Sequence, residues 1–231
     1  MTRIICFDTE TTGFDYAHGD RVIEIGAVEI LDGKITGETF HAYVNPDGKI
    51  IPPASYMVHK LSNEFLSDKP KMGDVAPKLL EFIGSSAVCA HNGFDFDFPF
   101  INHELTQIGL PIIPRERQMD TIIIARHKVF GPKEYTLDSL AKWFGVSLAA
   151  RADAHGALID AEILARVYLE LAAAASTETV GAIIEKQRAA VQSHPKIGAD
   201  FPPRKWDVPA AELERFNEFI KKDIKEPLWQ A

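Results

Sequence analysis

Cysteine is scarce in this chain, with two among 231 residues, which excludes a disulfide framework or a cysteine-built metal knuckle as the source of its stability. Cys6 and Cys89 both lie in apolar runs that read as strands, so both are expected to be buried and reduced. No apolar stretch reaches the roughly 20 residues that a membrane span needs. The N-terminal residues also lack the charged and apolar regions of a signal peptide, so the expectation is a cytoplasmic protein with no membrane contact. Basic residues are not in excess either. Lys and Arg number 25 against 33 Asp and Glu, a net charge of −8, which argues against broad electrostatic capture of duplex nucleic acid. It does not argue against gripping a strand end through bound cations, because bound ions invert the local field. No internal repeat is evident, and the length suits one large domain or an ordinary domain with an appendage.

What the chain does have is a set of acidic residues in three short motifs: FDTETTG (residues 7–13), AHNGFDFDFPF (90–100) and HGALIDAE (155–162). They contribute Asp8, Glu10, Asp97 and Asp160, with His155 opening the third. Carboxylates gathered in one place repel one another and are unfavourable unless cations bind between them. Hard divalent ions with oxygen ligands are the expected occupants, and such ions point to chemistry on phosphate.

The order of elements is readable. Residues 4–8 form an apolar strand followed by a Thr-Thr-Gly turn. Residues 22–31 alternate and end at Asp32-Gly33, a hairpin signal, and a third strand follows over 36–44. Pro46, Pro52 and Pro53 are expected to prevent regular structure. Short helices are predicted over 63–66 and about 75–83, the latter closed by Gly84, then a strand over 87–90. Further helices are predicted over about 99–108, 121–129, 137–144 and 158–172. A three-strand meander followed by strands interleaved with helices predicts an α/β fold, a mixed sheet with helices on its faces.

Spacing sharpens the site. Asp8 and Glu10 are two apart on a strand and so share a face, and Gly13 is expected to allow a tight turn. The hydroxyls and amides of Thr11 and Thr12 are candidates for a nucleotide's sugar or phosphate. Asp95 and Asp97 would lie about 200° apart on a helix, so only one can face the site. Pro99 belongs in a helix's first turn, which puts Asp97 at the helix mouth, where the dipole tolerates a carboxylate, and leaves Asp95 in the loop. His91 and Asn92 end the strand as turn-forming residues. His155 and Asp160 are about 140° apart around a helix, so His155 is expected at or before the helix start and Asp160 inside it. A histidine beside a metal site suits a general base.

Together these motifs resemble the DEDDh 3′→5′ exonuclease superfamily, which has an RNase H-like fold, and are most similar to the proofreading epsilon subunits of bacterial DNA polymerase III. The segments over 22–46 and 155–171, SDKP (67–70) and VHKLS (58–62) carry the likeness, which covers roughly residues 2–173. It implies Asp8, Glu10, Asp97 and Asp160 as metal ligands for two divalent cations, Mg²⁺ or Mn²⁺, and His155 as the base. It also implies Val58 and His59 lining the terminal-nucleotide pocket, with Thr9, Thr11, Thr12 and Asn92 among the substrate-binding residues. The implied substrate is a single-stranded or frayed DNA 3′ end, hydrolysed to nucleoside monophosphates. Three departures stand out. The second motif has Phe96 where epsilon subunits usually place the aspartate, a spacing closer to repair exonucleases of the superfamily. Ala54 replaces a common glutamate, and no glutamine-led sliding-clamp motif follows the catalytic region, so a clamp contact is unsupported. A stand-alone repair or RNA-processing exonuclease is the alternative reading, and a non-catalytic scaffold subunit is the alternative from another class.

The tail differs in character. A helix is predicted over 180–192, and residues 194–209 hold four prolines and read as a tether. Helical periodicity returns over 208–222 with Leu213, Phe216 and Ile220 on one face, before Leu228 and Trp229 near the end. The resulting organisation is an exonuclease domain over 1–174, a helix and proline-rich tether over 175–207, and a helical segment over 208–231. By resemblance, this last segment docks onto the polymerase alpha subunit.

Overall fold

The computed structural model describes residues 2–128, 133–151 and 156–174. Five strands, β1 (Arg3–Thr11), β2 (Val22–Leu31), β3 (Lys34–Tyr43), β4 (Ala87–Ala90) and β5 (Gln118–Asp120), form one sheet in the order β3-β2-β1-β4-β5. The meander β1–β2–β3 is antiparallel, whereas β4 and β5 add to β1 in parallel. This is the mixed sheet expected from the sequence. The β2–β3 hairpin turns through Asp32 (φ 48°) and Gly33 (φ 77°), the two positive φ values that a tight two-residue hairpin requires.

Helices cover both faces, and the alternation of β1 decides which residues meet which helices. Ile4 and Cys6 join Val28, Ile30, Cys89 and Met119 in a core beneath α5 (Thr121–Lys128), α6 (Leu137–Phe144) and α7 (Ala157–Ala173). Ile5 and Phe7 join Ile25, Ala27 and Val88 in a second core beneath α3 (Met72–Ile83) and α4 (Asp97–Gln107), where Leu79, Phe98, Ile101 and Leu105 are fully covered. Cys6 and Cys89 are register partners on adjacent strands, buried and unbonded, as expected. At the start of β2, Arg21 holds the buried Glu104 of α4 through Nε–Oε1 at 2.7 Å and Nη2–Oε2 at 2.8 Å. That bidentate pair ties α4 to the sheet and is geometrically selective as well as strong.

Three details depart from the sequence reading. A helix, α1 (Pro53–His59), stands where prolines were expected to forbid one; Pro53 is its first residue, where the absent N–H is one the helix would not have used. It is followed by α2 (Asn63–Leu66), whose N-cap Ser62 accepts a hydrogen bond from the Phe65 N–H. The three-residue β5 has too little length for alternation to reveal it. β1 continues through Thr11 instead of ending at Asp8, so Thr11 lies on the strand with the acidic pair and not in the turn after it.

Gly26 faces Asp8 across the β1–β2 ladder. A Cβ added there would lie 2.2 Å from the backbone carbon of Ala157 and from the Leu158 nitrogen, so the first turn of α7 rests directly on β2. Backbone cannot step aside as a side-chain tip can. Gly26→Ala is therefore expected to push α7 off the sheet at an overpacking cost of about 1–3 kcal/mol, with the exonuclease activity that the resemblance implies falling more than stability. Thermal denaturation alongside a single-strand digestion assay checks this; unchanged activity would show that α7 does not need this close approach.

Candidate active site

The two faces of β1 deliver carboxylates to one end of the sheet. Asp8 and Glu10 continue the face of Ile4 and Cys6, which looks toward α7, and α7 contributes Asp160 in its first turn. One oxygen from each of Asp8, Glu10 and Asp160 lies within 4.8 Å of the others. Thr9 points to the other face, where α4 begins. There Asp97 is the first helical residue after the N-cap Phe96, and its buried carboxylate accepts a hydrogen bond from Thr9 Oγ1 at 2.8 Å. Asp95 is exposed in the turn before the helix, so both aspartates lie at the positions in the chain expected from Pro99. Asp97 is not within the compact trio, but it is close enough to raise the pKa of both Asp8 and Glu10.

Electrostatics state the problem that this arrangement poses. Burial, then Asp97, Asp160 and Glu10, hold Asp8 well above the ordinary carboxylate range. Burial, then Asp160 and Glu24, push Glu10 up to about 8. Asp97 is pushed up to about 7 by burial, opposed by the Thr9 hydrogen bond. An all-oxygen donor set with suppressed ionisation is what a hard divalent cation would relieve, so the residues fit such ions. Sequence reasoning did not find Glu24, which pairs with Glu10 across the β1–β2 ladder and lies buried with Oε1 2.7 Å from His41 Nε2. It also did not find Arg151, whose Nη2 is 2.7 Å from Asp160 Oδ2. Neither carries a motif; both follow from pairing partners that are distant in sequence.

The other candidates divide. His59 closes α1, buried, with Nδ1 accepting the Leu61 N–H at 3.0 Å and Nε2 without a hydrogen-bond partner among the described residues; burial lowers its pKa. Val58 is about half exposed beside it. Ser55 of the same helix donates to the Thr12 carbonyl at 2.8 Å, which fastens α1 to the loop after β1. The three threonine hydroxyls are engaged within the protein. Thr9 is spent on Asp97, Thr11 donates to the Gly13 carbonyl at 2.6 Å, and Thr12 Oγ1 lies 3.1 Å from Asp20 Oδ1 and accepts the Arg21 N–H at 3.0 Å. All three are buried. Gly13 serves space more than turning: a Cβ there would lie 2.3 Å from an Asp20 carboxylate oxygen. Asn92 is exposed at φ 59°, and its carbonyl accepts the Asp95 and Phe96 N–H groups that open the turn into α4. It borders an open cleft of about 650 Å³, also lined by His91, Arg126, Tyr135, Asp138 and Arg151. His155 lies outside the described residues, as do Leu213, Phe216, Ile220, Leu228 and Trp229.

The raised pKa values give a pH dependence with a definite sign. A carboxylate whose pKa is higher in the folded than in the unfolded chain stabilises the fold at low pH and loses that contribution as pH rises through the folded value. For Asp97 and Glu10 the window runs from the ordinary carboxylate range up to about 7 and about 8. Metal-free protein is therefore expected to lose stability from these groups between pH 5 and 8, and Mg²⁺ to raise the melting temperature more at pH 8 than at pH 5.5. Calorimetry in EDTA and in Mg²⁺ at both pH values checks it; equal Mg²⁺ effects would contradict ion binding at this cluster.

Comparison with known proteins agrees with the geometry. Residues 5–168 match the exonuclease family (RNase_T). The DNA polymerase III subunit epsilon of Rickettsia conorii is 42% identical over 172 residues, covering 73% of each chain. The subunit of Escherichia coli is 38% identical over 179 residues, 74% of this chain and 72% of that one. Among solved structures, Exonuclease X in complex with 5′ overhanging duplex DNA superposes with a TM-score of 0.60 at 28% identity, over 81% of this chain and 99% of that one. Exonuclease I of Escherichia coli in complex with a dA16 oligonucleotide, at 15% identity and a TM-score of 0.65 over 80% of this chain and 43% of that one, shares the fold. The chain belongs to the DEDDh exonuclease family, close to the epsilon subunits of bacterial DNA polymerase III.

Proposed function

We propose that this protein is the proofreading 3′→5′ exonuclease of DNA polymerase III, releasing nucleoside monophosphates from single-stranded or frayed DNA 3′ ends in the cytoplasm. The observation that carries the reading is the convergence of Asp8, Glu10 and Asp160 within 4.8 Å, with Asp97 beside them. Asp8, Glu10, Asp97 and Asp160 would hold two divalent cations, Mg²⁺ or Mn²⁺. When bound, such ions neutralise the cluster and stabilise charge on the attacking and leaving oxygens of a phosphodiester.

The chain's own residues do the remaining work. Thr9 fixes the rotamer of Asp97 by its hydrogen bond. The α7 N-terminus, seated on Gly26, presents Asp160 to the sheet. His155 immediately precedes Gly156, the N-cap of α7, and in our reading accepts the proton of the attacking water. The fastening of α1 to the β1 loop through Ser55 supports Val58 and His59 as one wall of the terminal-nucleotide site. Selectivity for mispaired ends comes from their lower cost of unpairing, a few kcal/mol at most.

Loss of a positioned base typically lowers a rate by about 10²–10⁴-fold. His155→Ala is expected to reduce digestion of a labelled single-stranded oligonucleotide by that factor with the melting temperature unchanged, and Asp8→Ala to abolish it. Near-wild-type turnover in His155→Ala would remove the residue from the role of base. For the tail, deletion of residues 208–231 is expected to leave nuclease activity intact while ending co-purification with the polymerase alpha subunit. Retained binding by the truncated protein would place the docking segment elsewhere.

A further inference from the structure

The carboxylate cluster already has a cation of its own. Arg151 ends a single 3₁₀ turn, Ala149–Arg151, ahead of α7, and its side chain is largely covered. Its Nη2 lies 2.7 Å from Asp160 Oδ2, and its Nη1 pairs with Asp138 in the first turn of α6. Asp160 is one of the three converging carboxylates, with its side chain 4% exposed; Asp138 is outside the cluster and its side chain is 46% exposed. Among the described residues Arg151 thus reaches both a carboxylate that belongs to the site and one that does not. A guanidinium is permanently charged and presents a rigid fork of donors, which suits it to bridge two carboxylates.

We propose that Arg151 is a built-in counter-cation, which holds Asp160 in the metal-free protein and competes with a divalent ion for that carboxylate, Asp138 keeping hold of the guanidinium when the ion takes its share. The inference rests on the cation-binding reading of the cluster. Its physical basis is that buried like charges need a positive charge in every state of the protein. Without an ion, the Arg151 guanidinium lies close enough to oppose the upward push on both Asp8 and Glu10. With an ion, the same guanidinium becomes a repulsive neighbour of a dication. Any part of its stabilisation that is larger in the metal-free state must reappear as weakened ion binding, because the coupling between two sites is reciprocal.

The test uses the full-length chain, with Mn²⁺ binding followed by isothermal titration calorimetry and melting followed in EDTA and at saturating Mg²⁺. In Arg151→Gln the metal-free melting temperature is expected to fall by about 5 °C or more. At saturating Mg²⁺ the fall should be less than half as large, and Mn²⁺ affinity should rise by about tenfold, as reciprocity requires. Arg151→Lys keeps the charge but cannot fork across two carboxylates, and should lie between wild type and Arg151→Gln in both measurements; it carries the comparison alone if Arg151→Gln does not fold. An equal loss of stability with and without Mg²⁺ would mean a purely structural salt bridge and overturn the proposal, as would weaker Mn²⁺ binding in either variant. Failure of the wild-type protein to bind Mn²⁺ would instead bring down the cation reading of the cluster, a result distinguishable from both.

Discussion

Mutual repulsion among buried and half-buried carboxylates is the constraint on which the rest of this structure depends. Four acids gathered at the end of one strand are unfavourable for the fold by themselves. Burial and the neighbouring charges push Glu10 up to about 8 and Asp97 up to about 7, so the site opposes its own ionisation until positive charge arrives. Such a cluster persists only because two packed cores, one on each face of the sheet, hold the elements that carry it. Stability is supplied by ordinary apolar packing some distance away, and it offsets local electrostatic strain where the chemistry takes place.

The strand's twofold alternation turns that constraint into a design. Even-numbered residues of β1 run from core (Ile4, Cys6) to site (Asp8, Glu10) toward α7, and odd-numbered ones run from core (Ile5, Phe7) to a positioning hydroxyl (Thr9) toward α4. Both faces therefore end in functional groups at the same end of the central strand. The close contact of α7 with Gly26 and the Arg21–Glu104 pair on α4 set the two helices that complete the set. The acids are brought together from three elements whose positions are fixed by packing and charge pairing well away from the cluster.

Among the described residues positive charge reaches the cluster from Arg151, and a bound dication is the source that the family implies. They differ in kind. The guanidinium is a permanent part of the chain and lies against a single oxygen of Asp160 at 2.7 Å, whereas an ion can engage several carboxylates together. A protein with a net charge of −8 that meets a polyanionic strand end depends on such local cations, because its overall field attracts cations but repels the strand.

Much was legible from the chain because the relevant periods are short. The two-residue spacing of Asp8 and Glu10 fixes a shared face without reference to any other element, and Pro99 selects Asp97 over Asp95 through the rules of a helix's first turn. Asp32-Gly33 announces its hairpin for the same local reason. Pro53 misled because a proline inside a helix and a proline opening one look alike until the helix start is known. What only the tertiary structure decided were partnerships between distant positions. Thr9 meets Asp97, Glu24 meets Glu10, Arg151 meets Asp160, and Gly26 yields its space to α7. Residue type and spacing along a chain carry the geometry of one strand or one helix. They do not carry the register between strands or the seat of a helix on a sheet, which is where buried charges find the groups that hold them.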